Sequence, residues 1–254
     1  MILKNKISLV TGGATGIGKA TVETFAQQGA NVIFCDVNKQ RGIHTQKELK
    51  EKGLITHFFQ ADVSKEKDIK LLYQYIIKTF KTIDTVFNNA GIEQEVTPSH
   101  NLETKIFEKV IDTNLKGVFL SSKYALKIME KNKKGCIVNN SSISAFANVG
   151  GNLSYAASKG GVMSLTRVLA IEYASKNIRV NAVCPGVIDT PMNERNLNKT
   201  KNKKALKEKW KTITPLGRVA SPYELAQTVL FLSSDMASFI TGVGLLVDGG
   251  RAAT

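Results

Sequence analysis

Tyr155 and Lys159 stand four residues apart in NLSYAASKGGVMSLTRVLA, a stretch whose pattern is helical. That spacing puts both side chains on one helix face. A free phenol, with a pKa of about 10, is too weakly ionised near neutrality to act as a base. A neighbouring ammonium favours its charged form, so the pair suits proton exchange with an alcohol oxygen. Six tyrosines and 29 lysines among 254 residues predict about 0.7 such spacings by accident, so the pair alone decides nothing. Ser142, just after the strand-like run CIVNNS (136–141), adds a hydroxyl that can hold a reacting oxygen in place.

A second chemistry-bearing segment lies near the start. Gly12, Gly16 and Gly18 read G-x-x-x-G-x-G between ISLVT (7–11) and the amphipathic run GKATVETFAQQG. Glycines there let backbone approach a pyrophosphate, and the following helix presents amide donors to it. The same loop fits G-x-x-x-x-G-K from Gly13 to Lys19, but Ala20 follows where a nucleotide triphosphatase needs a magnesium-binding hydroxyl. Asp36 ends the run NVIFCD, 18 residues beyond Gly18. A carboxylate there accepts both ribose hydroxyls of an adenosine and repels a 2′-phosphate, and Val37 and Asn38 bring no cation beside it. This selects NAD over NADP.

The elements that must position these groups alternate along the whole chain. Strand-like runs at 7–11, 31–36, 55–60, 85–89, 136–141, 179–184 and 244–249 are separated by helical patterns. Such alternation calls for a parallel sheet covered by helices on both faces, with ligands at the carboxyl ends of the strands. We expect one domain over 1–254, with an insertion-like lobe at about 189–215 over the substrate.

Composition excludes other classes. The net charge of +14 comes mainly from lysine, with only six arginines, whereas nucleic-acid readers favour arginine. Most lysines interleave with apolar residues at helical spacing, as solvated faces do, so no nucleic-acid partner is expected. Seven of them crowd NKTKNKKALKEKWK (198–211), opposed only by Glu208. Cys35, Cys136 and Cys184 sit in apolar strand-like runs without C-x-x-C spacing and read as reduced core thiols. His44, His57 and His100 share no ligand spacing, so no metal is expected. No apolar run spans a membrane, and MILKNKISLVTGG lacks a signal-peptide pattern, so the expected location is cytoplasmic.

The motifs TGGATGIG (11–18), DV (62–63), NNAG (88–91), Asn114, Ser142, YAASK (155–159) and CPGVIDT (184–190) together resemble the short-chain dehydrogenase/reductase family over essentially the whole length. The resemblance implies a Rossmann-like doubly wound α/β fold with strand order 3-2-1-4-5-6-7, and, with apolar surfaces expected on the helices at 101–132 and 153–176, a homotetramer. It implies Tyr155 as acid/base, Lys159 as its electrostatic tuner and ribose ligand, Ser142 as positioner, and Asn114 as anchor of a proton-relay water. It further implies cofactor contacts from Gly12, Thr15, Gly16, Ile17, Gly18 and Asp36. Asp62 and Val63 would meet the adenine, Asn89, Ala90 and Gly91 the adenosine ribose, and Pro185, Gly186, Ile188 and Thr190 the carboxamide.

NNAGIE and CPGVIDTPMNE resemble NAD-dependent bacterial members acting on cyclic or polyol alcohols, with specificity expected from 92–97, 143–154 and 189–215. The competing activity is 3-oxoacyl-carrier-protein reduction. Such reductases usually prefer NADP and carry a basic residue where Ile171 stands, although the lysine-rich lobe suits an acidic carrier. From another class, a non-catalytic NAD sensor or nucleic-acid-binding protein would need no intact Asn114, Ser142, Tyr155 and Lys159 set.

Overall fold

Strand β1 (Ile7–Thr11) is buried along its whole length, as a central strand of a parallel sheet covered on both faces must be. It lies between β2 (Asn31–Asp36) and β4 (Thr85–Asn88), in parallel register with both. With β3 (Thr56–Gln60), β5 (Gly135–Asn140), β6 (Ile178–Pro185) and β7 (Gly244–Val247) it forms a seven-stranded sheet ordered 3-2-1-4-5-6-7. The computed structural model describes residues 1–148 and 150–253; Val149, within the 143–154 segment, and Thr254 lie outside the described residues.

Alternate strand residues build two apolar layers. Ile33, Cys35, Val86 and Ile137 face one layer, where Ile69, Leu72 and Ile76 of α3 (Glu66–Phe80) and Leu126 and Met129 of α5 (Gly117–Asn132) meet them. Val32, Phe34, Phe87 and Val138 face the other layer. There they meet Val22 and Phe25 of α1 (Gly16–Gln27) and Leu225 and Val229 of α9 (Pro222–Ser233). Helices on both faces leave the carboxyl ends of the strands open, and the order reverses direction between β1 and β4. The three cysteines are buried and free.

Two segments differ from the sequence pattern. The periodic stretch 101–132 is not one helix: α4 (Thr104–Ile111) runs into a π turn at Asp112–Lys116 before α5 begins. One extra residue in that turn places Asn114 inward, fully buried. In the lobe at 189–215 a further helix, α7 (Pro191–Lys199), precedes the lysine-rich α8 (Lys203–Thr212), each capped by a side chain and neither burying a residue. Among the described residues no helix is long and apolar enough to cross a membrane, and no group of His, Cys, Asp and Glu could hold a metal ion.

Candidate active site

Helix α6 (Leu153–Tyr173) carries Tyr155 and Lys159 along the carboxyl end of β5. Lys159 is 3% exposed, and its Nζ lies 5.5 Å from the centroid of the Tyr155 ring, within cation–π range. It donates to the Asn140 carbonyl oxygen at 2.6 Å, while the Ser141 hydroxyl donates to the Lys159 carbonyl at 2.9 Å. The strand end thus grips the lysine at both its ends. Burial pulls the Lys159 ammonium down to about 8. Burial pushes the Tyr155 phenol up to about 12, the Glu93 charge adds to that rise, and the Ser142 hydroxyl opposes it. Ser142 leaves β5 in extended conformation, and its Oγ accepts the Ser144 amide at 3.1 Å.

Asn114 reaches this group from the π turn. Its Oδ1 accepts the Ile92 amide at 2.8 Å, and its Nδ2 donates to the Ile92 carbonyl at 2.9 Å and to Ser158 Oγ at 3.1 Å. Gly91 stands between Asn114 and Lys159. A Cβ there would sit 3.3 Å from Asn114 Oδ1 and 3.7 Å from Lys159 Nζ, so glycine leaves the space between them free of a side chain. Asn114, Ser142, Tyr155 and Lys159 come together although the sequence spreads them over 46 residues.

The glycine loop adjoins them at the end of β1. Gly12 (φ +63) and Gly16 (φ +54) occupy backbone conformations that favour glycine, and a Cβ on Gly18 would lie 2.0 Å from the Gly12 carbonyl oxygen. Thr15 precedes α1 without a side-chain cap, so the first-turn amides that include Ile17 have no side-chain acceptor from it. Asn89 braces the loop, its Nδ2 donating to the Gly12 carbonyl at 3.0 Å, and the Ala90 Cα would be 2.8 Å from a Gly12 Cβ. Asp36 stands half-buried at the end of β2, taking the Asn38 amide at 2.9 Å and the Ala14 amide at 3.3 Å. A glycine cradle, uncapped helix amides and a carboxylate at this distance suit a dinucleotide. Lys19 points elsewhere, bonding Glu48 on α2 (Lys39–Glu51) at 2.6 Å, so the triphosphatase-like pattern is a coincidence of spacing.

The remaining predicted residues divide. Pro185 ends β6, the Gly186 amide donates to Val247 at 3.0 Å, and Ile188 is buried. Thr190 caps α7, and its Cβ would stand 3.4 Å from a Cβ on Gly16, which brings the 185–190 loop onto the glycine loop. Asp62 turns onto Ser64, accepting its hydroxyl at 2.7 Å, and Val63 is buried against Gly117.

Several participants escape the motif reading. Thr11 Oγ1 accepts the amides of Asn89 and Ala90 at 2.9 and 3.1 Å. A buried ladder links Asn88 to Asn139 at 2.9 Å and Asn139 to Thr166 on α6 at 2.9 Å, tying β4 and β5 to the helix that carries Tyr155. NNAG and NNSS contain these asparagines, but only the pairing of β4 with β5 shows that they meet.

Comparisons with known proteins agree with this architecture. A family model described as enoyl-(acyl carrier protein) reductase matches residues 12–252. The chain is 42% identical to the uncharacterized oxidoreductase YxbG of Bacillus subtilis, over 98% of this chain and 91% of that protein. It is 38% identical to a 2,5-dichloro-2,5-cyclohexadiene-1,4-diol dehydrogenase of Sphingobium indicum, over 99% and 98%. It is 39% identical to the 3-oxoacyl-[acyl-carrier-protein] reductase FabG of Chlamydia trachomatis, over 99% of each. The crystal structure of levodione reductase superposes with a TM-score of 0.96 at 34% identity, covering 99% of each chain. The chain belongs to the short-chain dehydrogenase/reductase family, which uses NAD or NADP, and is an alcohol dehydrogenase or ketone reductase.

Proposed function

We propose an NAD-preferring dehydrogenase for secondary alcohols of the cyclic, sugar or polyol type, working reversibly through Tyr155, Lys159, Ser142 and Asn114. The observation that carries this reading is the buried Lys159 ammonium held 5.5 Å from the Tyr155 ring centroid. Bound nicotinamide supplies a hydride acceptor for the carbinol carbon. Tyr155 takes the hydroxyl proton, and the nearby cationic charge favours the phenolate that must do so. Ser142 donates to the reacting oxygen and stabilises the charge that develops on it. Lys159, anchored on the Asn140 carbonyl at 2.6 Å, stays oriented toward the phenol while its charge acts. Asn114 lies across Gly91 from Lys159, placed to anchor a water that passes the proton from Lys159 outward.

Asp36 supports NAD, because a 2′-phosphate would meet its carboxylate with no cation following at Val37 or Asn38. The lobe at 189–215 would cover the substrate, and exposed Phe119, Val168 and Ile171 on α5 and α6 support a homotetramer. Relatedness to FabG and the lysine-rich α8 favour a second reading, reduction of an acyl carrier thioester. One panel separates the two: polyols, cyclic alcohols and 3-oxoacyl thioesters, each with NAD(H) and NADP(H), followed at the nicotinamide absorbance. We expect alcohol oxidation with NAD at a kcat/KM at least about tenfold above NADP. Equal use of NADP overturns the cofactor assignment, and turnover of thioesters alone overturns the substrate class.

A further inference from the structure

Three segments converge beside Tyr155: residues 92–97, the start of α6, and α7. Buried Gln94 fastens the first to the second. Its Oε1 accepts the Ser154 amide at 2.7 Å and the Ser154 hydroxyl, and its Nε2 reaches the Gly151 carbonyl at 3.3 Å. The Thr97 amide donates to the same carbonyl at 3.0 Å. Glu93, adjacent to this fastening, receives one amide from each side. Asn152 Nδ2 donates to its Oε1 at 3.2 Å, and Asn196 Nδ2, from α7, donates to its Oε2 at 3.0 Å. Asn152 is the residue just before α6 and lies one helical turn ahead of Tyr155. The carboxylate is therefore fixed between the helix that bears Tyr155 and the lobe.

This group is rich in acceptors and poor in donors. An ionised carboxylate accepts only, and each of its oxygens keeps a free lone pair beyond its one amide. Asn152 Oδ1, oriented by the bond its Nδ2 makes, is buried without a partner among the described residues. Acceptors left without donors are costly away from water, and a ligand hydroxyl satisfies them. A phosphate, a carboxylate or a thioester carbonyl offers no donor here, and the first two meet like charge.

We infer that Glu93, oriented by Asn152 and Asn196, binds a second hydroxyl of the substrate, so that the substrate is a diol or polyol. The inference rests on the alcohol-oxidation reading above and narrows it. A second hydroxyl donating to Glu93 fixes the carbinol relative to Tyr155, and it also spreads the negative charge that opposes phenolate formation nearby.

The test compares cyclohexanol with the cyclohexane-1,2-diols and cyclohexane-1,4-diols as substrates of wild type, Glu93→Gln and Glu93→Ala. Wild type should favour at least one diol over cyclohexanol. Glu93→Gln should lower kcat/KM for that diol about tenfold to a hundredfold and for cyclohexanol less than about threefold. With cyclohexanol, Glu93→Gln should also shift the half-maximal pH of kcat downward, because a charge that disfavours the phenolate is gone. A parallel loss for diol and cyclohexanol with an unmoved pH profile makes Glu93 a mere fastening of the lobe and overturns the inference, leaving alcohol oxidation intact. Equal use of diol and cyclohexanol by wild type overturns it as well. If wild type oxidises no alcohol of the set with either NAD or NADP, the alcohol-oxidation reading falls and takes this inference with it.

Discussion

The strand ends around Lys159 and the α7–α8 lobe are built on opposite principles. Asn114, Asn139, Ser158, Lys159 and Thr166 are all buried, and each is held by at least one side-chain hydrogen bond. In the lobe no residue of α7 or α8 is buried. The lobe is attached mainly by polar contacts: Asn193 to the Ile188 carbonyl at 2.7 Å, Asn196 to Glu93, and Lys199 to Glu95. Groups that share hydrogen-bond partners in a dry interior have one arrangement, so the reacting geometry is preset. A lobe whose helices bury nothing lacks that constraint, and its exposed Lys199–Glu95 pair contributes at most about 1 kcal/mol. On the function proposed above, reaction type is written into the first region and substrate choice into the second.

The largest effect should come from the first region. Tyr155→Phe removes the hydroxyl proposed to transfer the proton and leaves the ring in place. Turnover should fall by about three orders of magnitude or more, with NADH affinity within about threefold of wild type by fluorescence titration. Substantial residual activity would move the acid/base role away from Tyr155, and the contrast between the regions would lose its anchor.

A smaller effect sharpens the contrast through pH. Lys159 has a folded-state pKa of about 8, below its ordinary value. Between pH 8 and about 10.4 the unfolded chain binds a proton that the folded chain does not, so stability gains as pH rises through that window. Below pH 8 both states are protonated and the burden is constant. With the coupled phenol removed from both proteins, Tyr155→Phe should therefore gain a few degrees in Tm between pH 7.5 and pH 10 relative to Tyr155→Phe, Lys159→Met. Parallel Tm profiles would mean that the ammonium is not held in a dry site.

How much of this could be read beforehand follows the same division. All seven strands lie within one or two residues of the apolar runs, and the five inner ones are the plainest, because a strand buried on both faces has little freedom in composition. Tyr155, Lys159 and Asp36 are legible because their spacing along one element decides their placement. The Asn140 carbonyl that holds Lys159 carries no side-chain signature, so nothing in the sequence points to it. The π turn at Asp112–Lys116 inserts a residue without breaking the apolar rhythm, which is why 101–132 reads as one helix. Helix α7 hides for the opposite reason: burying nothing, it needs no apolar stripe. Glu93 stands in a motif-adjacent loop, but only the meeting of α6 with α7 gives its carboxylate partners.

The smallest effect tests the lobe's lysines. A groove of about 430 Å³ between α7 and α8 is lined by Leu197, Asn198, Lys203, Lys204, Lys207 and Lys211, with Glu194 and Glu208 at its edges. Lys211 pairs with Glu208, and Lys203 bonds only the neutral Asn198. Lys204 and Lys207 have no partner among the described residues, so reversing their charge removes no existing interaction. The double variant Lys204→Glu, Lys207→Glu should hold Tm within about 2 °C of wild type. It should change kcat/KM for a neutral alcohol less than about twofold, because exposed charges are screened within about 8 Å at physiological salt. A tenfold or larger rise in KM for an acyl thioester on coenzyme A or a carrier protein would be a different result. It would make the groove a docking site for acidic substrates, favour the acyl-carrier reading, and put binding energy where the comparison finds only solvated charge.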